Sequence, residues 1–293
     1  MTRQVAVVTG AARGLGEAVA RRLAAAGYAV ALLGHEPDRL EQVAAACGGD
    51  AAWWQVDVTD EAALRRVAGE VAARFGGVDV VMANAGIAFG APIVSADPAT
   101  WDRVVEVNLL GSVRTARAFL PLLLERRGYL LQIASLAAIL PMPIMSAYGA
   151  SKAGVEAYAR AVGPELKHRG VTVGIAYLSW TDTDMVRGAD TVEALARQRA
   201  ALPPPFNATT SLDKAADALV AGIRRRRTRV WVPGWVRLAA MNRPFLHWFT
   251  ALVGPGRAAA TEAALEAEVG TGVAAFTGPG GAADLEGRRR AQP

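Results

Sequence analysis

Short apolar runs alternate with longer amphipathic stretches along the first 233 residues, and few architectures accept such an alternation. Residues 5–9, 29–33, 51–55, 78–83, 129–134, 172–176 and 229–232 are short and rich in Val, Ile, Leu and Ala, so they read as buried strands. Between them, residues 15–26, 37–46, 60–74, 101–125, 147–169 and 212–225 repeat apolar side chains at helical spacing. Parallel strands need a long crossover between partners, and a helix supplies one. The predicted fold is therefore α/β, a doubly wound parallel sheet covered by helices on both faces. The alternation is interrupted after residue 176 and resumes at residue 212. Residues 178–210, with Pro203-Pro204-Pro205, read as a loop or lid.

Composition supports one large domain. Apolar residues make up 52 % of the 293 and charged residues 20 %, enough for a sizeable core and against bulk disorder. The net charge of +5 does not imply nucleic acid, because the arginines are scattered with few aromatics among them. The dense run Arg224–Arg227 reads as a solvated helix end. Cys47 is the only cysteine, which excludes internal disulfides and cysteine metal clusters, and His35, His168 and His247 are too dispersed for a metal site. The N-terminus runs into a strand without a signal-peptide layout, and no 18 apolar residues are consecutive. The expectation is a cytoplasmic chain without a spanning helix.

The first strand turns into the first helix through Thr9-Gly10-Ala11-Ala12-Arg13-Gly14-Leu15-Gly16. Glycines at this turn let a pyrophosphate approach the backbone, and the helix N-terminus offers free N–H groups and positive dipole. The sheet is thereby of Rossmann type, with a dinucleotide as ligand. The second strand ends in Gly34-His35-Glu36. No acid lies directly at the strand end to accept ribose hydroxyls, and Arg13 projects nearby. Both points favour NADP(H), with NAD(H) as the alternative. Glu36 is the dissenting residue and is expected to point to solvent.

The chemical signature lies further on. Of the 32 lysines and arginines only Lys152, Lys167 and Lys214 are lysine, and Lys152 stands four residues after Tyr148. On a helix that spacing puts both on one face. An ammonium can shed a proton, as a guanidinium cannot, and its charge stabilises a neighbouring phenolate. Tyr148 can then give a proton to a carbonyl oxygen or remove one from an alcohol. Ser135, at the preceding strand end, can hydrogen-bond the same oxygen as charge develops.

With these motifs in order, residues 3 to 233 resemble the short-chain dehydrogenase/reductase family. The glycine loop matches, as do Asp57-Val58 (the adenine-contacting aspartate and its neighbour) and Asn84-Ala85-Gly86. Asn108, Ser135, Tyr148 and Lys152 match the catalytic tetrad in identity and spacing. The resemblance implies that Lys152 also holds ribose hydroxyls and that Asn108 positions a proton-relaying water. It further implies a homodimer or homotetramer with contacts from helices 101–125 and 147–169. The competing reading is a catalytically silent nucleotide sensor or scaffold on the same fold, which would be free to lose the tyrosine or lysine.

The chain departs from the family after the sixth strand. Where Pro-Gly-x-Val-x-Thr is usual, it has Leu178-Ser179-Trp180-Thr181-Asp182-Thr183. Thr183 matches the residue that orients the nicotinamide carboxamide, and Thr181 is counted with it among the cofactor contacts. Between Ser135 and Tyr148 the chain is greasy: Leu136, Ile139, Leu140, Pro141, Met142, Pro143 and Met145, with Trp180 and Met185 beyond. An apolar ketone, aldehyde or alcohol is the expected substrate. Residues 234–257 form a Trp-rich amphipathic segment with basic neighbours. Its part 234–253 suits peripheral contact with a membrane or packing against the sheet, the lid or a second subunit. Residues 258–293, rich in Ala, Gly and Glu, are expected to be a flexible tail.

Overall fold

In the computed structural model, which describes residues 3–269, 275–276 and 281, seven strands pair in parallel into one sheet. The chain runs β1 (Val5–Thr9), α1 (Gly14–Ala25), β2 (Ala29–Gly34), α2 (Pro37–Cys47), β3 (Ala51–Gln55), α3 (Glu61–Phe75), β4 (Val80–Ala83) and β5 (Phe89–Gly90). Next come α4 (Pro98–Val105), a π-helical turn (Glu106–Leu110), α5 (Gly111–Arg126), β6 (Tyr129–Ser135), α6 (Ser146–Lys167) and β7 (Thr172–Leu178). Then follow α7 (Asp184–Asp190), α8 (Glu193–Ala200), α9 (Leu212–Arg224), β8 (Arg229–Val232), α10 (Val236–Met241), α11 (Arg243–Val269) and β9 (Ala275–Phe276).

The sheet order is β3-β2-β1-β4-β6-β7-β8, so the winding reverses between β1 and β4. That reversal opens a crevice at the carboxyl ends of the strands. Alternate residues of each strand feed two cores. Ala6, Val8, Val30, Leu32, Met82 and Leu131 pack under α1, α2 and α9. Val5, Val7, Ala31, Leu33, Val81 and Leu130 pack under α3, α5 and α6. Local chemistry sets the helix starts: Asp60 accepts from the Ala63 amide (2.9 Å) ahead of α3, and Asp97 from the Thr100 amide (2.8 Å) ahead of α4.

Two sequence expectations are corrected. The segment 178–210 is not a loop throughout but carries α7 and α8. The boundary at 257/258 does not exist as a break: α11 runs from 243 to 269 through Pro255. Gly254-Pro255-Gly256 reads as a breaker, yet the Ala-rich run that follows favours helix, and buried Thr261 and Leu265 give it something to pack against. The remaining tail lies outside the described residues, apart from β9, which pairs antiparallel with β5, and Gly281. One described stretch, Pro98–Arg126, is long and apolar enough to cross a membrane. It is nonetheless a layer of this fold, because α5 packs against α3 and β4 while α4 packs against α6.

Candidate active site

The crevice between β1 and β4 is walled by the glycine turn. Gly10 and Gly14 adopt φ of 64° and 53°, a region that a side chain resists, and a Cβ on Gly16 would run into the Gly10 carbonyl. Arg13 precedes α1 without a side-chain cap, so the first-turn N–H groups carry no side-chain acceptor. The turn is stitched to the loop after β4. The Thr9 hydroxyl oxygen accepts from the amides of Asn84 (2.9 Å) and Ala85 (3.1 Å), and the Asn84 side chain donates to the Thr9 carbonyl (2.9 Å).

A cavity of about 240 Å³ follows this wall. Gly10, Arg13, Gly14, Leu15, Gly16, His35, Glu36, Val58, Asn84, Ala85 and Gly86 line its nucleotide end. Ser135, Tyr148, Lys152, Ser179, Thr181, Thr183 and Met185 line the other. Asp57 does not line it, although Val56 and Val58 do. Its carboxylate accepts from the Thr59 amide (2.8 Å) and Arg103 (2.9 Å), and His35 lies 3.7 Å away. Burial opposes the charge on Asp57, but these donors outweigh it and hold the carboxyl below its usual range. Asp57 thus serves as a turn and tie residue in this structure.

Glu36 does not point to solvent. It takes a bidentate pair from Arg13, with Nε 2.8 Å from Oε2 and Nη2 on Oε1, and Arg13 Nη1 also lies 3.8 Å from Asp184 on α7. The pair satisfies both charges at the edge of the cavity, a partnership invisible at a separation of 23 residues.

The tetrad residues converge from three elements. Tyr148 and Lys152 sit on the first turns of α6, with Lys152 Nζ 5.8 Å from the phenol ring centre. Ser135, at the end of β6, donates its hydroxyl to the Leu178 carbonyl (3.4 Å) and accepts from the Ala137 amide (3.1 Å), and it lines the cavity beside the phenol. Asn108, 1 % exposed, lies in the π-helical turn. Its amide donates to the Ile87 carbonyl (2.9 Å) and Ser151 Oγ (3.0 Å), and its Oδ1 accepts from the Ile87 amide (2.8 Å). The expected depression of the Tyr148 phenol by Lys152 is not what governs it. Burial pushes the phenol up, and the neighbouring Ser135 hydroxyl pulls it part of the way back. Lys152, 5 % exposed and donating to the Ile133 carbonyl (2.9 Å), is brought down to about 8 by the same burial.

A second cavity of about 100 Å³ adjoins the first and is almost wholly apolar. Leu136, Leu140, Met142, Met145, Trp180 and Met185 all line it, joined by Leu202 and Phe206 from beyond α8. Ile139 instead enters the core, and Pro141 faces solvent. Ser135, Tyr148 and Ser179 line both cavities, so the proton-handling groups stand at their junction.

The residues present fit a nicotinamide dinucleotide. The glycine cradle leaves no room for a side chain at Gly10 or Gly16, and the Ser179 hydroxyl at the junction is buried without a partner among the described residues. In the sequence, Ser179 stands out only as a departure from the family pattern.

Comparison with known proteins agrees with this geometry. Residues 4–194 match the family model described as short chain dehydrogenase. The cis-4-hydroxycyclohexanecarboxylate dehydrogenase of Sinomonas cyclohexanicum is 34 % identical over 221 residues, covering 74 % of this chain and 87 % of that protein. Among solved structures, an alcohol dehydrogenase from the archaeon Thermococcus sibiricus complexed with 5-hydroxy-NADP aligns with a TM-score of 0.67 and 30 % identity, covering 78 % of this chain and 94 % of that one. An actinorhodin polyketide ketoreductase with NADPH aligns at 0.72 and 28 % identity, covering 80 % and 97 %.

Proposed function

This chain belongs to the short-chain dehydrogenase/reductase family, NAD(P)-dependent enzymes acting at alcohol and carbonyl carbons, and from that premise we propose an NADP(H)-dependent oxidoreductase that interconverts a ketone or aldehyde and an alcohol on an apolar small molecule. The observation that carries the reading is the meeting of a glycine-walled cavity with an apolar one at Ser135 and Tyr148.

The glycine turn and the N-terminus of α1 hold the pyrophosphate. Arg13 answers the 2′-phosphate of NADP(H), and Glu36, already bound to Arg13, is poorly placed to accept from a ribose. When bound, the nicotinamide supplies or accepts the hydride. Ser135 donates to the substrate oxygen, and Tyr148 delivers the proton to it in reduction or removes it in oxidation. Lys152 holds a positive charge beside the phenol while it is protonated. Asn108 keeps the loop after β4 against α6. The retention of both Tyr148 and Lys152 argues against the silent-scaffold reading. The family resemblance supports a homodimer or homotetramer built through α5 and α6.

The test is NADPH oxidation across ketones, aldehydes and quinones of graded polarity, repeated with NADP⁺ and alcohols. Apolar compounds should turn over best, with higher kcat/KM for NADPH than NADH. Tyr148→Phe should lower kcat by at least about a hundredfold while NADPH binding persists. Turnover confined to small charged carbonyls, or undiminished in Tyr148→Phe, would reject the reading.

A further inference from the structure

The α10–α11 arm carries one continuous apolar stripe on the outside of the molecule. Leu238, Met241, Phe245, Trp248, Phe249 and Leu252 are each between 37 % and 69 % exposed. At about 100° and 1.5 Å per residue, Phe245, Trp248, Phe249 and Leu252 of α11 fall within an arc of roughly 100° and a length of roughly 10 Å, with Leu238 and Met241 of α10 preceding them. Phe245 lies 5.8 Å from Trp248 and 6.4 Å from Phe249, centre to centre, so the aromatic rings are grouped before any partner arrives.

The opposite side of the arm is the one the fold uses. Val236 and Ala239 are buried in the core, and Leu246 packs against it. Arg243 donates to Glu156 (2.6 Å), and the His247 ring nitrogen Nε2 lies 2.9 Å from the Ile139 carbonyl. The stripe therefore faces away from a helix already anchored, and an exposed patch of this kind marks an interaction site.

Charge identifies the occupant. From residue 218 to residue 261 there is no Asp or Glu, while eight arginines occur; Arg243 and Arg257 are engaged with the body of the protein, which leaves Arg237 on α10 and the run before it as the charge for a partner. A symmetric contact between two copies through the stripe would set these segments together with no carboxylate between residues 218 and 261 to answer the arginines; Glu262, Glu266 and Glu268 lie beyond the stripe on α11, and Glu268 is engaged with the start of α8. A bilayer with anionic headgroups answers both features: Trp, Phe and Leu enter the headgroup–acyl boundary, and arginines meet the phosphates. We propose that the α10–α11 stripe docks this protein on an anionic lipid surface.

The arm also borders the apolar cavity. His247 holds Ile139 beside the lining residue Leu140, and Arg257 donates to the Ala201 carbonyl (3.2 Å) beside the lining residue Leu202. Docking thus sets that cavity near the phase in which apolar carbonyl compounds concentrate, although it does not depend on what the site turns over.

The experiment is co-sedimentation of the full chain with large vesicles of phosphatidylcholine alone and of phosphatidylcholine with phosphatidylserine. The variants are Phe245→Ser/Trp248→Ser and Arg237→Glu. Light scattering of lipid-free samples reports the oligomer, and circular dichroism melting reports the fold. The parent should pellet with the anionic vesicles, the double variant about tenfold less, and Arg237→Glu less than the parent, all with unchanged melting. If the parent stays in the supernatant, or the double variant pellets equally, the proposal fails. A parent oligomer that the double variant splits into monomers assigns the stripe to a second copy and also overturns it.

Discussion

Burial acts in opposite directions on the two side chains that sit one helical turn apart on α6. It penalises the phenolate of Tyr148 and the ammonium of Lys152 alike, so the phenol moves up and the lysine down to about 8. Between about 8 and the ordinary lysine value, the folded chain holds fewer protons at Lys152 than the unfolded chain. Its cost to stability is therefore full below about 8 and is relieved as pH rises through that window. With three lysines in the chain, carbon-13 lysine labelling makes the titration readable. A Lys152 midpoint near 8 is expected in the cofactor-free protein, and a midpoint at the ordinary value would refute burial as the cause. At the other end of the cavity, Arg13 and Glu36 compete with the cofactor for each other. Arg13→Ala should weaken NADPH by about 10–100-fold, the worth of a charge-assisted contact of about 1.5–3 kcal/mol, and leave NADH nearly unchanged. Glu36→Gln should tighten NADPH by freeing the guanidinium. Fluorescence titration of both nucleotides decides, and equal weakening of the two by Arg13→Ala would exclude a 2′-phosphate contact.

At the level of elements, the π-helical turn between α4 and α5 is what turns Asn108 inward to clamp Ile87 and Ser151. Asn108→Asp keeps the shape but replaces the donor aimed at the Ile87 carbonyl with an acceptor. It should cost about 1–3 kcal/mol in urea unfolding and lower kcat through the loop after β4. An unchanged urea midpoint would show that the clamp is dispensable. The elements also divide what was legible in the sequence from what was not. The glycine turn and the Tyr148–Lys152 spacing are local patterns, so they could be read directly. Helix α8 escaped because its packing partner, around Leu265, lies 65 residues or more further along, and α7 packs in turn on α8. The same distance problem hid the Arg13–Glu36 pair. The orphaned Ser179 hydroxyl could not be found from composition either, since being without a partner is a property of the folded neighbourhood.

Across the whole molecule, α11 is the part that joins regions otherwise far apart. It lies on the core through His247, reaches the end of α8 through Arg257, and presents Glu268 to the start of α8. There Glu268 accepts from the amides of Glu193 (2.8 Å) and Ala194 (2.9 Å), and these bonds hold its carboxyl below the usual range. The hold is complete above the ordinary glutamate value and is lost as pH falls through the lowered one. Glu268→Gln removes the charge and one acceptor, so hydrogen exchange in 184–200 should accelerate while α6 is unaffected; uniform exchange in both proteins would contradict this. The latch has a consequence for timing. Helix α7 walls the apolar cavity through Met185, Val186 and Ala189, α8 packs on α7, and Glu268, which lines neither cavity, fastens α8 from outside. If product departure is the slow event, the dwell time of each product is set there, and Glu268→Gln raises kcat without raising kcat/KM.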